Sequence, residues 1–248
     1  MLHKNPFIIA PQTIELIKDF QGLPGFKDYM LVRGTSLALQ LGHRNSIDID
    51  LFTQNDFTAE EIGEILYDKF SYTTNLARKN TVLAVINNIR TDFIKHAYPF
   101  ILPPIAEEGI TFLSKEDITA MKFHDIIQSR KRLKDFIDIY YLLQHFCLQQ
   151  MIEFFTQKYA YRNPMIALKA VNFFDDIDEN IDPPKLLHPI TLKQIKSRIK
   201  DATKNPSKIF STGLNSCKMK WHYALQNLCF AEKLFPAVIV IKTNCRYH

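Results

Sequence analysis

No hydrophobic run in this 248-residue chain is long enough to cross a bilayer. The nearest, Phe235–Ile241, is short, contains Pro236 and is followed by Lys242. The opening stretch MLHKNPFIIAPQTIEL lacks the layout of a secretory leader, because its apolar part is short and Pro11 interrupts it. A cytoplasmic protein without membrane contact is therefore expected. The four cysteines (Cys147, Cys217, Cys229 and Cys245) form no CxxC pair, and no histidine stands at zinc-finger spacing from them. Reduced thiols are expected, and a zinc site is not. Internal repeats and low-complexity segments are absent, which argues against a solenoid or a disordered chain. Acidic residues are scarce from His188 onward. There, Lys193, Lys196, Arg198, Lys200, Lys204, Lys208, Lys218, Lys220, Lys233, Lys242 and Arg246 face only Asp201 and Glu232. Such a segment attracts a polyanion such as nucleic acid, or else forms a solvated helical face with a loose tail.

What is present is ordinary for a globular protein: 46% apolar residues, 23% charged, and a net charge of +5. The length suffices for one large domain or two small ones. Apolar spacing predicts a helix over Pro11–Phe20, and the Gly22–Gly25 stretch ends it. Tyr29–Val32 reads as a short strand, Thr35–Leu41 as a helix that follows at once, and Ile47–Phe52 as a strand. Thr58-Ala-Glu-Glu is a capping box that opens another helix. Thr81–Ile86 and Ile89–His96, joined by Asn87-Asn88, read as a hairpin. From Ser114, a plausible N-cap, Lys115–Leu143 is helical with a break near Arg130–Leu133. Helices over Leu148–Tyr159, Asn163–Phe174 and Thr191–Thr203 follow. The seam lies near Gly109–Ser114, so an α/β part precedes a helical one.

The most informative stretch is LVRGTSLALQLGHRNSIDIDLF, Leu31 to Phe52. Asp48 and Asp50 stand two apart on the predicted strand, so both side chains leave one face. Two adjacent carboxylates repel each other, and a divalent cation with hard oxygen ligands, Mg²⁺ above all, resolves the conflict. A wet polar strand face is the plain alternative. Gly34-Thr35-Ser36 opens a helix directly after a strand, where backbone N–H groups and hydroxyls suit a phosphate. Arg44 is placed to pair with phosphate, and Asp92 on the second hairpin strand is a candidate third carboxylate. Three acids on neighbouring strands beside a phosphate-binding turn describe metal-dependent phosphoryl or nucleotidyl transfer.

That stretch resembles the motif of the polymerase β-like nucleotidyltransferases. More closely it is similar to the AbiEii/AbiGii-type nucleotidyltransferase toxins of bacterial toxin–antitoxin and abortive-infection systems, whose pattern runs "LVGGTALAL…GHR.S.DiDlF". The third-acid strand matches IRTDF, and the helical motif matches EDITAMKFHDIIQSRKRLKDFIDIYYLL. The resemblance spans about Phe7 to Lys204. It implies a polymerase β-like α/β (α+β) core with a small mixed sheet over residues 1–112 and a helical domain over 113–206 that completes the cleft. Residues 207–248 are then an atypical basic tail matching nothing in the family. It implies Asp48, Asp50 and Asp92 as ligands of Mg²⁺ (or Mn²⁺), and Gly34, Thr35 and Ser36 as the phosphate turn. Lys122 becomes the lysine near the nucleotide phosphates, and Asp135 the acid of the last motif, with Arg130 and Lys134 beside it. The substrates implied are an NTP and an acceptor that includes RNA and tRNA 3′ ends in some members, with a cognate antitoxin as partner.

Several residues also have plainer readings. Lys122 is otherwise a solvated surface charge, and Asp135 and Asp138 are helix-surface charges or partners of Arg130 or Lys134. Tyr140, Tyr141, Leu142 and Phe146 read as core. The acidic run DDIDENID lacks the glycine and terminal glutamate of a calcium loop and reads as an exposed loop. One position departs from the pattern: Arg33 stands where the family has its first glycine. Its side chain would fill the pocket or add a phosphate contact. The alternatives to catalysis are a nucleotide- or partner-binding homologue with impaired activity, and a non-enzymatic nucleic-acid-binding protein driven by the basic tail.

Overall fold

The computed structural model describes residues 1–210; the basic stretch 211–248, with Cys217, Cys229 and Cys245, lies outside the described residues. In chain order the elements are α1 (Pro11–Gly22), β1 (Met30–Leu31), α2 (Arg33–Leu41), β2 (Ile49–Thr53), α3 (Ala59–Tyr67), β3 (Tyr72–Arg78), β4 (Thr81–Ile86) and β5 (Ile89–Lys95). They continue with β6 (Ile105–Glu107), β7 (Ile110–Phe112), α4 (Lys115–Ser129), α5 (Leu133–Leu142), α6 (Leu148–Lys158), α7 (Pro164–Val171) and α8 (Leu192–Lys204). The class is mixed α/β. One seven-stranded sheet runs in the order β3-β4-β5-β2-β1-β7-β6. The β2–β5 and β1–β7 pairs are parallel and the others antiparallel.

Most local signals of the sequence are realised. Asn87 and Asn88 both take positive φ (49° and 64°), the conformation of a two-residue hairpin turn. Thr58 and Glu61 close a reciprocal capping box, and Ser114 accepts from the Asp117 N–H. Arg130 ends α4 in a left-handed conformation (φ 54°), which produces the expected break before α5. Three strands carry no sequence signal strong enough to read. β3 is an edge strand with only its first residue half-buried, so it lacks apolar alternation. β6 and β7 are three residues each and turn on Glu108-Gly109, both at positive φ.

Strand alternation decides what reaches the site. On β1, β2 and β5, Leu31, Ile49, Leu51 and Phe93 point to one core, with Phe20 and Ile17 of α1, Phe26, and Ile62 of α3. Phe26 stacks on Phe93 at 5.0 Å, and Phe20 meets Phe93 edge-on at 5.5 Å. Each of these fully buried rings contributes about 2–3 kcal/mol of burial. Met30, Val32 and Phe52 face the opposite way, into a second core built with α4, α5, α6, α7 and α8. Asp50 and Asp92 share that second face by the same alternation. Tyr140, Leu142 and Phe146 are core residues, as expected, while Tyr141 is half-buried.

Candidate active site

The parallel pairing of β2 with β5 sets Asp50 directly opposite Asp92. Two in-register residues of neighbouring strands point to the same face, so the two carboxylates converge although 42 positions separate them. Asp48 sits one residue ahead of β2, at its mouth rather than within it. All three line a cleft of about 200 Å³, together with Arg33, Gly34, Arg44, Ser46, Arg90, Arg132, Lys134, Ile181 and Asp182. Burial pushes the Asp48 carboxyl up, with Lys134 opposing and Asp50 reinforcing the shift. Burial likewise pushes Asp92 up against the hydrogen bond from Arg90, and Asp50 adds to the rise. Neighbouring carboxylates in a partly buried cleft create a demand for positive charge.

Two arginines meet part of that demand. Arg90 reaches Asp92 through Nε (3.4 Å) and Nη2 (3.2 Å). Arg33 donates from Nη1 to Asp50 Oδ1 at 3.2 Å, and its Nη2 lies 3.6 Å from Asp125 Oδ1. The Arg33 guanidinium also stands 5.1 Å over the Phe52 ring. Burial alone would weaken its hold on the proton, but Asp50 and Asp125 raise it further above its ordinary value. Arg33 has φ 55°, the left-handed region that glycine occupies freely and a side chain enters at a cost of about 1 kcal/mol. The conformation accounts for the glycine that the resemblance places at this position. The arginine keeps the conformation and adds a charge.

The turn after Arg33 is built differently from the expectation. A Cβ on Gly34 would fall 2.7 Å from Arg44 Nη2 and 3.4 Å from Ser46 Oγ, so only glycine fits beneath the arginine. Thr35 and Ser36 are buried and do not line the cleft. Thr35 Oγ1 lies 2.8 Å from Ser46 Oγ and donates to the Asp48 carbonyl. Ser36 Oγ accepts from Gln40 at 3.1 Å. Their hydroxyls fasten the turn to the strand, and Ser46 is the hydroxyl that faces the cleft.

Behind the turn lies a buried ion network. Asp138 accepts from Arg44 Nε (2.7 Å) and Nη2 (2.9 Å), and lies 2.8 Å from His43 Nε2 and 2.8 Å from Lys122 Nζ. Lys122 also bonds Asp135 at 2.8 Å, and Arg132 Nε approaches Asp135 at 3.4 Å. Burial would raise the Asp138 carboxyl, but Arg44 and Lys122 hold it well below the usual carboxylate range. Burial alone would depress Lys122, and Asp135 and Asp138 raise it instead.

Three expectations change accordingly. Arg44, expected to meet phosphate, spends Nε and Nη2 on Asp138 and Nη1 on the Asn45 carbonyl. Lys122 is neither a surface charge nor part of the cleft lining; it is buried between two aspartates. Asp135 and Asp138 are buried partners of Lys122 and Arg44 rather than surface charges paired with Arg130 or Lys134. The reason is common to all three: α4 and α5 are packed on most sides, so their charges must neutralise each other. Lys134 instead lines the cleft, paired with Asp182 of the acidic loop. Sequence reasoning missed Arg90, Arg132, Ser46 and Asp125 as site residues. Arg90 stands two positions before Asp92 on one strand face, and Asp125 three after Lys122 on one helix face. Those spacings were the available signals.

Asp48, Asp50 and Asp92 are hard oxygen donors of the kind Mg²⁺ or Mn²⁺ takes. Among the described residues, however, no three His, Cys, Asp or Glu side chains are drawn together as a ready-made cage. Mg²⁺ normally uses one or two carboxylates and completes its shell with water and substrate phosphates, so the donor set fits without a cage.

The family model for "Nucleotidyl transferase AbiEii toxin, Type IV TA system" matches residues 83–207. The "Uncharacterized protein aq_aa25" of Aquifex aeolicus (strain VF5) is 30% identical over 161 residues, covering 62% of this chain and 77% of that protein. Among solved structures, JHP933 from Helicobacter pylori aligns with a TM-score of 0.46 at 14% identity, over 79% of this chain and 88% of that one. The Megavirus polyadenylate synthase aligns at 0.39 and 18% identity, over 56% of this chain, which spans about a third (32%) of that enzyme. Asp92, Lys122, Asp125, Asp135 and Asp138 all fall inside the matched segment, and Asp48 and Asp50 precede it. The chain belongs to the AbiEii nucleotidyl transferase toxin family.

Proposed function

We propose that the protein transfers a nucleoside monophosphate from an NTP to the hydroxyl of an acceptor, with Mg²⁺ or Mn²⁺ as cofactor. The observation that carries this reading is that Asp48, Asp50 and Asp92 all line one cleft whose rim is cationic. In the reaction, the acceptor oxygen forms a bond to the α-phosphorus, the bond from that phosphorus to the β-phosphate bridging oxygen breaks, and pyrophosphate leaves. Asp48, Asp50 and Asp92 would hold the metal, which when bound lowers the hydroxyl pKa and neutralises charge on the phosphates. Asp92 accepts the hydroxyl proton. Arg33, Arg90, Arg132 and Lys134 line the cleft where the triphosphate would lie. Arg44, Lys122, Asp135 and Asp138 position the turn and α5 from behind.

The family description supports a toxin role with a cognate antitoxin. RNA, including a tRNA 3′ end, is the acceptor class that the family resemblance implies, and the basic C-terminal segment is compatible with a polyanionic acceptor. A cytoplasmic site of action goes with such an acceptor, and no helix among the described residues is long and apolar enough to cross a membrane. The test is calorimetric titration of each NTP with Mg²⁺, followed by transfer of labelled nucleotide to total RNA. Asp48→Ala/Asp50→Ala should abolish both signals. Metal-independent binding that survives the double substitution would refute the reading. A second reading, nucleotide binding without transfer, rests on Arg33 lying on Asp50. It predicts intact binding, no transfer, and a gain of transfer in Arg33→Gly.

A further inference from the structure

Resting on the nucleotidyl-transfer reading, we propose that Arg33 is a tethered counter-ion that holds the metal position at Asp50 until nucleotide arrives, and so couples metal binding to nucleotide binding. Arg33 is a positioning residue in this role: it acts through Asp50.

The guanidinium bridges two carboxylates from different layers of the fold. Nη1 bonds Asp50 on β2, and Nη2 pairs with the buried Asp125 on α4. A divalent cation taken up by Asp50 would stand beside this fixed positive charge in a half-buried site, where repulsion is poorly screened. Metal alone therefore competes with Arg33. A triphosphate changes the balance, because its oxygens offer the guanidinium a bidentate partner of higher charge than Asp50. Arg33 then moves from carboxylate to phosphate, and Asp50 is released to the cation. Asp125 keeps the other side of the guanidinium anchored, so the exchange is a short swing and not an expulsion.

Three features fit an exchangeable contact better than a permanent structural pair. The Arg33 side chain remains 29% exposed, whereas Arg44, which is permanently tied to Asp138, is 3% exposed. Arg33 Nε and Asp125 Oδ2 are buried without a hydrogen-bond partner among the described residues, so the bonding of this pair is incomplete. The backbone at Arg33 is held at φ 55° for a residue with a long side chain. Strain of this kind persists where a site needs it. The neighbouring Arg90–Asp92 contact does not duplicate the arrangement, because Arg90 is mostly exposed and bonds a single carboxylate.

The experiment is Mn²⁺ titration of the full chain, with and without an α,β-methylene NTP analogue of the base selected in the titrations above. Wild type is compared with Arg33→Gly and Arg33→Asn, two residues that tolerate positive φ. In wild type the analogue should tighten Mn²⁺ binding roughly tenfold or more, within the usual range of coupling between sites. Both variants should bind Mn²⁺ alone at least roughly tenfold more tightly than wild type, and the tightening by analogue should shrink correspondingly. Equal affinity for Mn²⁺ alone in wild type and both folded variants would overturn the proposal. So would an absence of coupling in wild type, a measurement that requires no variant. Failure of all three proteins to bind analogue with Mn²⁺ would instead bring down the nucleotidyl-transfer reading itself, and the coupling with it.

Discussion

Asp138 is the residue whose removal should damage this protein most. Its carboxylate is fully buried and receives four contacts at 2.7–2.9 Å, from Arg44 Nε, Arg44 Nη2, His43 Nε2 and Lys122 Nζ. Asp138→Asn keeps the shape but removes the charge, and its NH₂ would point at least one donor toward another donor. Lys122 would retain Asp135, but Arg44 would lose its carboxylate and keep, besides the Asn45 carbonyl, at most the single amide oxygen of the new side chain. Each charge-assisted bond is worth about 1.5–3 kcal/mol. The losses do not add, and breaking one side of a buried pair typically costs about 3–5 kcal/mol. For a domain of this size, 1 kcal/mol corresponds to about 2–4 °C, so Tm should fall by roughly 6–20 °C. Urea and thermal unfolding followed by circular dichroism measure this directly. Arg44→Met/Asp138→Leu, which removes both partners, should recover part of the loss, because no uncompensated charge stays behind. A cost below about 1 kcal/mol for Asp138→Asn, or a double variant worse than the sum of its singles, would refute the account of Asp138 as the hub of the network.

Two further perturbations follow from the same geometry. Gly34→Ala places a methyl 2.7 Å from Arg44 Nη2, which is fixed on Asp138. It should cost about 1–3 kcal/mol and weaken nucleotide binding, whereas Gly22→Ala, with no atom within 4 Å, should be neutral or slightly stabilising. Equal unfolding midpoints for the two variants would show that the turn has slack. Acid should also destabilise the fold through its histidines. Burial lowers His43 despite its Asp138 contact, and burial together with Lys158 pushes His96 down to about 3. A folded pKa below the unfolded value of about 6.5 means that the unfolded chain binds more protons between the two values. The stabilisation is thus complete above pH 6.5 and is lost as pH falls below it. The urea midpoint should be lower at pH 5 than at pH 7.5, and an unchanged or higher midpoint at pH 5 would contradict the burial of neutral histidines.

Much of the site was legible in short range. A two-residue alternation put Asp48 and Asp50 on one face, and the Asn87-Asn88 turn delivered the strand that carries Asp92. What local pattern could not convey was partner choice. β3 and the β6–β7 hairpin carry too little apolar alternation to read, because one is an exposed edge and the others are three residues long. In sequence Arg44 reads as a phosphate contact and Lys122 as a phosphate contact or a surface charge, because nothing nearby in the chain says that they are enclosed. Their partner Asp138 lies 94 positions from Arg44.

By itself the sequence determined the helix caps, the hairpin turn, the break at Arg130, the alternation that separates carboxylates from core, and the family. These depend on backbone conformation and on periods of 2 and 3.6 residues, which neighbours in the chain specify. Only the tertiary structure decided that β2 lies parallel to β5 with Asp50 opposite Asp92, and that Asp138 claims Arg44. It also decided that Arg33, rather than filling a glycine's place idly, lies on Asp50 and Asp125. Those outcomes depend on which charges are buried together, and a buried charge takes its partner from whatever element the packing brings within about 3 Å, at any distance along the chain.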